Sequence, residues 1–309
     1  MKKILLSLFV IGVVSVAGVL ATRAFFSDTE TSVGNTFVAG DIDLQIDNES
    51  YAIDCTIPDG DGNPPAECKG VLAASSNTSW QLTDLTVEKF FDFVDLKPGD
   101  YGEDTISVHV GSNDAWVCAS ARITEDQDNS CTDPEQTDEL VACVNPNGNG
   151  ELDEDLNFAF WVDDGDNVFE ACPEGTGECE DEKVFLLGPL EGLGTQGQIA
   201  LADTQGGVLG AGNPIPGDTT FYIGKVWCFG ELTPEPKDSH DVQGAPINGT
   251  PVERGTGWLC DGTLVDNAAQ TDSVVGDLQF YAEQARHNDE FLCSKDYEPV
   301  WPTPTQTSD

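Results

Sequence analysis

The sequence predicts an all-β protein, an antiparallel jelly-roll-like sandwich with long acidic, disulfide-stapled loop insertions. Three observations support this prediction. Several short segments alternate apolar and polar residues with the period of two that is typical of half-buried strands. Clusters of Gly, Pro, Asn and Asp, which are the usual turn residues, separate these segments. Apolar residues at helical spacing are scarce along the 309 residues, so many short strands joined by turns are expected.

Six segments carry the alternation and are predicted strands: Phe37–Ile46, Ser79–Val87, Thr105–Val110, Asn157–Val162, Thr220–Trp227 and Ser273–Ala282. Two short stretches, Leu85–Phe93 and Pro134–Leu140, are predicted to be helical. Residues 59–67, 124–138, 145–155 and 233–257 are expected to be long surface loops. The sandwich domain is therefore expected over residues 36–298, with a flexible Pro/Thr tail at residues 299–309.

The first 24 residues have the layout of a secretory signal peptide. Lys2 and Lys3 form a positive start, the stretch Ile4–Leu20 is apolar, and small residues follow it. This pattern predicts cleavage between Ala24 and Phe25. The alternatives are cleavage three residues earlier and an uncleaved anchor helix, because the apolar stretch approaches spanning length. We expect a secreted protein, extracellular or at the cell surface, with no membrane association after processing.

The charge excludes several classes of partner. The chain has 56 Asp and Glu residues against 13 Lys and Arg, a formal net charge of -43. Removal of the three basic residues of the signal leaves 10 basic residues and a net charge of -46. Nucleic acids need basic side chains to replace their counterions, so no nucleic-acid partner is expected. Anionic lipid is disfavoured for the same electrostatic reason.

Ten cysteines follow the signal, an even number that predicts disulfide bonds in an exported chain. No C-x-x-C pair is present, which argues against a zinc site. We expect local bridges Cys55–Cys68 and Cys172–Cys179, because each closes an acidic loop with Gly and Pro. The other six are not assigned to pairs: Cys118, Cys131, Cys143, Cys228, Cys260 and Cys293.

Short motifs follow one another at Phe25–Glu30, Gly34–Leu44, Asp95–Asp100, Ala269–Ser273 and Leu278–Gln284. Together these five segments resemble the TasA/camelysin family, whose members are processed by a SipW-type signal peptidase and form biofilm matrix fibres. The mature start, Phe25–Glu30 and Gly34–Leu44, is similar to the family's mature N-terminus. Asp95–Asp100 resembles the family's loop before a strand, and Ala269–Ser273 with Leu278–Gln284 resembles its closing strand. The ten cysteines and the acidic loops depart from the family pattern.

The resemblance implies a structural subunit of extracellular filaments that assembles with copies of itself. The expected partners are therefore other copies of this chain and a signal peptidase of the SipW type. In the family, the mature N-terminal strand of one subunit adds to the sheet of the next. That contact does not close on itself and therefore gives a filament. The alternative is that the segment is an edge strand of its own subunit. The donor segment comprises Phe25, Phe26, Ser27, Asp28, Thr29, Glu30, Thr31, Ser32, Val33, Gly34 and Asn35.

Acidic loops predict calcium as a cofactor, because hard carboxylate and amide oxygens without His or Cys favour this ion. One candidate resembles the first half of an EF-hand loop, and it lacks the final Glu because Leu156 stands there. A third and least specific candidate is the stretch Asp59–Asn63. Solvated turns are the alternative interpretation. The predicted ligands of the two stronger candidates are Asn145, Asn147, Asn149, Glu151 and Asp153 in the first, and Asp163, Asp164, Asp166 and Glu170 in the second.

We do not expect an enzyme, because H-E-x-x-H and G-x-S-x-G are absent and the three histidines stand far apart. The weaker alternative is a secreted metallopeptidase, as some camelysins are described. The main alternative to a filament subunit is a monomeric surface-adhesion or ligand-binding module with Trp-bearing loops. The tryptophans are more typical of a core or an interface.

Overall fold

The computed structural model describes residues 27–32, 43–53, 72–138, 149–172, 182–210, 212–238 and 249–301. The strands in these ranges are β1 Ser27–Ser32, β2 Gln45–Ile53, β3 Leu72–Ala74, β4 Trp80–Thr83, β5 Tyr101–Val110, β6 Ala115–Gln127, β7 Leu156–Asp163, β8 Glu170–Ala171, β9 Lys183–Pro189, β10 Gln198–Ala202, β11 Thr219–Phe229, β12 Glu231–Pro234, β13 Lys237–Asp238, β14 Trp258–Asp261 and β15 Ser273–Gln284. The helices are α1 Glu135–Asp138, α2 Leu152–Asp155, α3 Leu190–Leu193, α4 Pro251–Arg254 and α5 Cys293–Asp296. In the part of the chain described here, no helix has the length and apolar character needed to span a membrane.

Two antiparallel sheets form the sandwich that the sequence predicts. Sheet A has the strand order β1-β15-β6-β10, and sheet B has the order β3-β2-β5-β11-β7-β9, with β4 also paired to β2. The centre of sheet B is β11, which pairs with β5 on one side and β7 on the other. Two smaller pairs, β12 with β14 and the parallel pair β8 with β13, lie outside these sheets. The all-β antiparallel fold is thus confirmed.

The main core lies between the two sheets. Alternate residues of sheet B, such as Ile106, Val108 and Ile223, pack in one cluster with Val117 and Phe280 of sheet A. Each of these five side chains is at least 97% buried. Full burial of an aliphatic or aromatic side chain contributes about 1.5–3 kcal/mol, so this cluster explains why the period-two alternation leads to a sandwich.

The outer face of sheet B is also covered. Trp161 of β7 and Val226 of β11 point to this side and pack with Phe169 of the following loop and Trp258 of β14. Consequently β5 is buried on both faces from residue 102 to residue 108. The sequence predicts a half-buried strand here, whereas the loop of residues 164–169 and the start of β14 remove its polar face from water. This second layer places acidic side chains in a low-dielectric environment.

The predicted strand bounds at β7, β11 and β15 are correct to within two residues at each end. The predicted strand Ser79–Val87 is shorter, since β4 ends at Thr83. The predicted helix Leu85–Phe93 is wrong, because this segment is irregular. The carboxylate of Glu88 accepts the backbone N–H groups of residues 86 and 87, and such local bonds compete with helix formation. Of the predicted strand Phe37–Ile46, residues 37–42 lie outside the described chain.

Disulfides connect distant parts of the sandwich. Cys118 of β6 is bonded to Cys293 of α5, and Cys228 of β11 is bonded to Cys260 of β14. Cys131 and Cys172 are also disulfide-bonded. The predicted bridges Cys55–Cys68 and Cys172–Cys179 each include at least one cysteine outside the described chain. Cys143 also lies outside it. Bonds of this kind persist in oxidising compartments.

Candidate functional sites

The edge of sheet A holds part of the predicted donor segment. Residues Ser27–Ser32 form β1 and pair antiparallel with β15, from Ser27 opposite Glu283 to Ser32 opposite Leu278. In the single chain this segment is therefore an edge strand of its own subunit, the alternative named above. The pairing covers half of β15, a strand of 12 residues whose other edge is bonded to β6.

Other parts of the N-terminal prediction lie outside the described residues. These are the cleavage site at Ala24 and Phe25, and the donor residues Phe26, Val33, Gly34 and Asn35. The described part gives the strand character of the segment and its register. The segment that follows β1 in sequence, residues 33–42, also lies outside the described chain.

The second acidic loop begins at Asp163, the last residue of β7. Its carboxylate accepts hydrogen bonds from Thr105 Oγ1 at 2.8 Å, Trp161 Nε1 at 3.1 Å and the backbone N–H of Gly165 at 3.1 Å. Gly165 has φ of +108°, a conformation that favours glycine and turns the chain back over the carboxylate. The side chain is thus fixed by donors on β5, β7 and the loop.

Three carboxylates converge beside this turn. Oxygen atoms of Asp163, Asp164 and Glu182 all lie within 4.8 Å of one another. Glu182 also accepts the backbone N–H groups of Asp164 at 3.1 Å and Glu170 at 2.7 Å. Burial, with the nearby charges of Asp163 and Asp164, raises the pKa of Glu182 to about 11. Calcium–oxygen distances are about 2.3–2.6 Å, so this spacing suits ligands of one calcium ion.

A fourth acid, Glu103 of β5, lies on the same face of sheet B and is completely buried. Among the described residues, neither of its carboxylate oxygens has a hydrogen-bond donor. Burial first, and then the charge of Asp163, raises the pKa of Glu103 well above its ordinary value. A buried carboxyl without a donor is costly. A cation in this region would offset that cost.

The remaining predicted ligands of this loop bind an arginine. Asp166 and Glu170 each accept a hydrogen bond from the guanidinium of Arg254, at the end of α4. The side chains of both acids are at most 4% exposed. A capping box between Thr250 and Glu253 fixes the start of α4. Asp166 and Glu170 are therefore part of an ion-pair network beside the three-carboxylate group, and they do not belong to that group.

The first predicted calcium loop takes a different local structure. Asn145 and Asn147 lie outside the described residues, and Asn149 is exposed. Glu151 directly precedes α2, and Asp153 lies inside this helix and is buried. Burial, with the charge of nearby Asp126, raises the pKa of Asp153 to about 6. The helical turn replaces the extended loop that alternating EF-hand ligands require.

Two further acids accept hydrogen bonds from the backbone of this loop. Asp126 accepts the N–H of Gly150 at 3.0 Å, and Asp272 accepts the N–H of Glu151 at 2.7 Å. Asp272 is also within 4.8 Å of carboxylate oxygens of Asp128 and Glu135, the second group of three acids in the described chain. None of these acids is among the predicted ligands, because they are spread over three separate parts of the chain: on β6 or directly after it, at the start of α1, and directly before β15.

Sequence reasoning missed Glu103, Glu182 and Arg254. Glu103 carried a usable signal, since the pair Glu103-Asp104 stands inside a run that becomes a strand. Glu182 and Arg254 carried none, because Glu182 stands in an acidic run before β9 and Arg254 ends the short helix α4, and neither is next to Asp163 in sequence. The third predicted calcium stretch, Asp59–Asn63, lies outside the described residues.

His109 and four of the tryptophans make structural contacts. The half-buried ring of His109 hydrogen-bonds to Asp47 at 3.0 Å and to Thr220 at 2.8 Å. Four tryptophans are at least 94% buried: Trp116, Trp161, Trp227 and Trp258.

The chain was also compared with known proteins. No protein-family model matches it, and no curated protein sequence matches it.

Proposed function

We propose that the chain is a subunit of extracellular filaments, assembled by exchange of its N-terminal strand between copies. The observation that carries the proposal is the strand β1, which is the edge strand of sheet A and is paired in register with β15. A segment that fits this edge within one chain also fits it from a second chain, because the same backbone hydrogen bonds form. Residues 33–44 connect β1 to β2 in sequence.

Exchange of β1 leads to a filament rather than a closed pair. Each subunit would donate β1 at one site and accept another subunit's β1 along β15, so the contact is heterologous and open-ended. The hydrogen bonds that β1 loses within its own chain are regained between chains. The free energy of assembly therefore depends mainly on the linking segment and on the charge of the subunits. With a net charge of -43, copies repel one another at low salt. Assembly is therefore expected to need salt or divalent cations.

We further propose that calcium binds at Asp163, Asp164 and Glu182 and rigidifies the outer layer of sheet B. The support is the spacing of these carboxylates together with the buried Glu103. Calcium would replace the proton that Glu182 otherwise holds at neutral pH.

A deletion tests the filament proposal. Processed protein should form filaments visible by electron microscopy at physiological salt, and a variant that lacks residues 25–34 should fold but stay monomeric. A variant that lacks residues 302–309 is the matched control and should still assemble. A synthetic peptide of residues 25–36 should bind the deletion variant and cap growing filaments. Filaments from the deletion variant would refute strand exchange, and monomeric processed protein would favour an adhesion module.

A thermal-shift series tests the calcium proposal separately. Millimolar calcium should raise the melting temperature of the full chain, since a ligand that binds the folded state stabilises it by RT ln(1 + [L]/Kd). Asp163→Asn and Glu182→Gln should abolish most of the shift. Glu235→Gln is the matched control, because this acid is exposed, and should leave the shift unchanged. A melting temperature that ignores calcium would sink the proposal without affecting the strand-exchange test.

A further inference from the structure

An amine and a carboxyl face each other inside the sandwich. Lys225 of β11 and Asp104 of β5 are direct partners in the ladder that joins these strands. Their side chains are 0% and 2% exposed, and Lys225 Nζ lies 2.9 Å from Asp104 Oδ1. Both residues point toward the inter-sheet core, between Ile106 and Ile223 on one side and Trp227 on the other, where an apolar side chain is the usual choice.

The surroundings of the pair are apolar on one side and polar on the other. The ring of Phe91 lies over Nζ, 3.5 Å from its centroid, and the carbonyl oxygen of Phe90 accepts a bond from Nζ at 3.3 Å. On the opposite side, Asn48 of β2 donates to the carbonyl of Thr78 at 2.7 Å. Among the described residues, Asp104 Oδ2 has no hydrogen-bond partner. Bulk water is excluded from both reacting groups.

A buried pair of this kind is favourable for proton transfer between its members. Burial lowers the pKa of Lys225 and raises that of Asp104 to about 6. The neutral form, an amine beside a carboxylic acid, is therefore closer in free energy to the ion pair than it would be in water. The neutral amine is a nucleophile, and the neutral acid is a better electrophile than the carboxylate.

We propose that Lys225 and Asp104 condense to an amide that covalently joins β11 to β5. The Nζ–Cγ bond forms and the bond from Cγ to one carboxyl oxygen breaks. That oxygen leaves as water, with one proton from the acid and one from the amine, so the step needs no oxidant, reductant or co-substrate.

The geometry favours the forward reaction. Two groups held in near-attack position react with effective molarities of about 10⁵–10⁸ M. The same exclusion of water opposes hydrolysis of the product. The bond would join the two strands at the centre of sheet B and, like a disulfide, constrain the unfolded chain. Unlike a disulfide, it would resist reducing agents.

Mass spectrometry of the full chain tests the proposal. After complete reduction and denaturation, the intact mass should be lower than the sequence mass of the processed chain by one water molecule. A peptide map should show the Lys225 and Asp104 peptides joined. Lys89 and Asp92 provide an internal control, because their nitrogen and oxygen atoms are 3.1 Å apart but both side chains are about half exposed, and their peptides should stay separate.

Lys225→Arg keeps the charge and should show the full sequence mass. An unshifted mass in the wild-type chain would overturn the proposal, whether or not the variant folds. Loss of one ammonia molecule, with Lys225 joined to Asn48, would overturn the assignment to Asp104. Loss of water in the arginine variant as well would place the reaction elsewhere and refute it. None of these outcomes depends on filament formation.

Discussion

Replacement of Arg254 by Met tests whether the acidic loop is held by its ion pairs. Met has a similar length but no charge, so the change leaves Asp166 and Glu170 as neighbouring buried carboxylates without their guanidinium. Their side chains are 2% and 4% exposed, and that of Arg254 is 11% exposed. The capping box at the start of α4 is untouched. The substitution therefore removes the pairing and leaves the helix in place.

The expected cost is large. Removal of one member of a buried ion pair destabilises a protein by about 3–5 kcal/mol, because the other member stays buried and uncompensated. In a domain of 150–250 residues, 1 kcal/mol lowers the melting temperature by about 2–4 °C. We therefore expect Arg254→Met to melt about 6–20 °C below the wild-type chain at pH 7.5. Lys89→Met breaks an exposed pair and should cost at most about 1 kcal/mol.

Acid should reduce the deficit of the Arg254 variant. With the arginine present, the pKa of Asp166 is already about 6, above its ordinary value of 3.8, chiefly because of burial. Loss of the arginine raises this folded-state pKa further, so the folded variant takes up protons and gains stability as the pH falls toward 5. The measurement is thermal and urea unfolding in chelator at pH 7.5 and pH 5. Equal deficits in the Arg254 and Lys89 variants, or a deficit independent of pH, would refute this reasoning.

Three further predictions concern the disulfide, a close contact and the charge. The double variant Cys118→Ser with Cys293→Ser should lose about 2–5 kcal/mol of unfolding free energy, which urea unfolding measures. Addition of reductant to the wild-type chain should reproduce much of that loss. Gly224→Ala should lower the unfolding free energy by about 1–3 kcal/mol, because the new Cβ would lie 2.0 Å from the Trp161 ring. Gly192→Ala is the control and should not do so, because a Cβ there meets nothing within 4 Å. Equal losses in the two variants would contradict the close contact. In chelator, the melting temperature should rise from pH 7.5 to pH 5, because the carboxyls of the buried Asp153 and Asp166 and the half-buried Asp272 have pKa values of about 6 in the folded state against 3.8 ordinarily. A flat or falling curve would contradict these raised pKa values.

The strands were predictable where alternation and burial agree. β7, β11 and β15 present one face to the core between the sheets, so their apolar residues recur at every second position. The segment Leu85–Phe93 has apolar residues at near-helical spacing for another reason. Leu85 and Phe90 are buried in the core from an irregular chain, and the Glu88 carboxylate binds the local backbone. Periodicity alone does not separate these two cases.

The site was predictable in part. Asp163 and Asp164 could be chosen because acids and glycine follow a strand. Glu103 was missed, since a polar residue at the outward position of a strand is expected to meet water. Its burial depends on loops that are distant in sequence and cover sheet B. For the same reason Arg254, one of few basic residues, could not be assigned to Asp166 before the fold was known.

The bond between Cys118 and Cys293 sets an order of events during synthesis. The two residues are 175 positions apart, and the second one follows β15. This bond has to wait until both β6 and β15 have been made, whereas Cys228 waits for only 32 further residues before Cys260 has been made. An oxidising enzyme that acts while the chain is still emerging would meet Cys118 long before its native partner. Correct maturation therefore depends on Cys118 staying unoxidised, or on isomerisation, until the last strand of sheet A is in place.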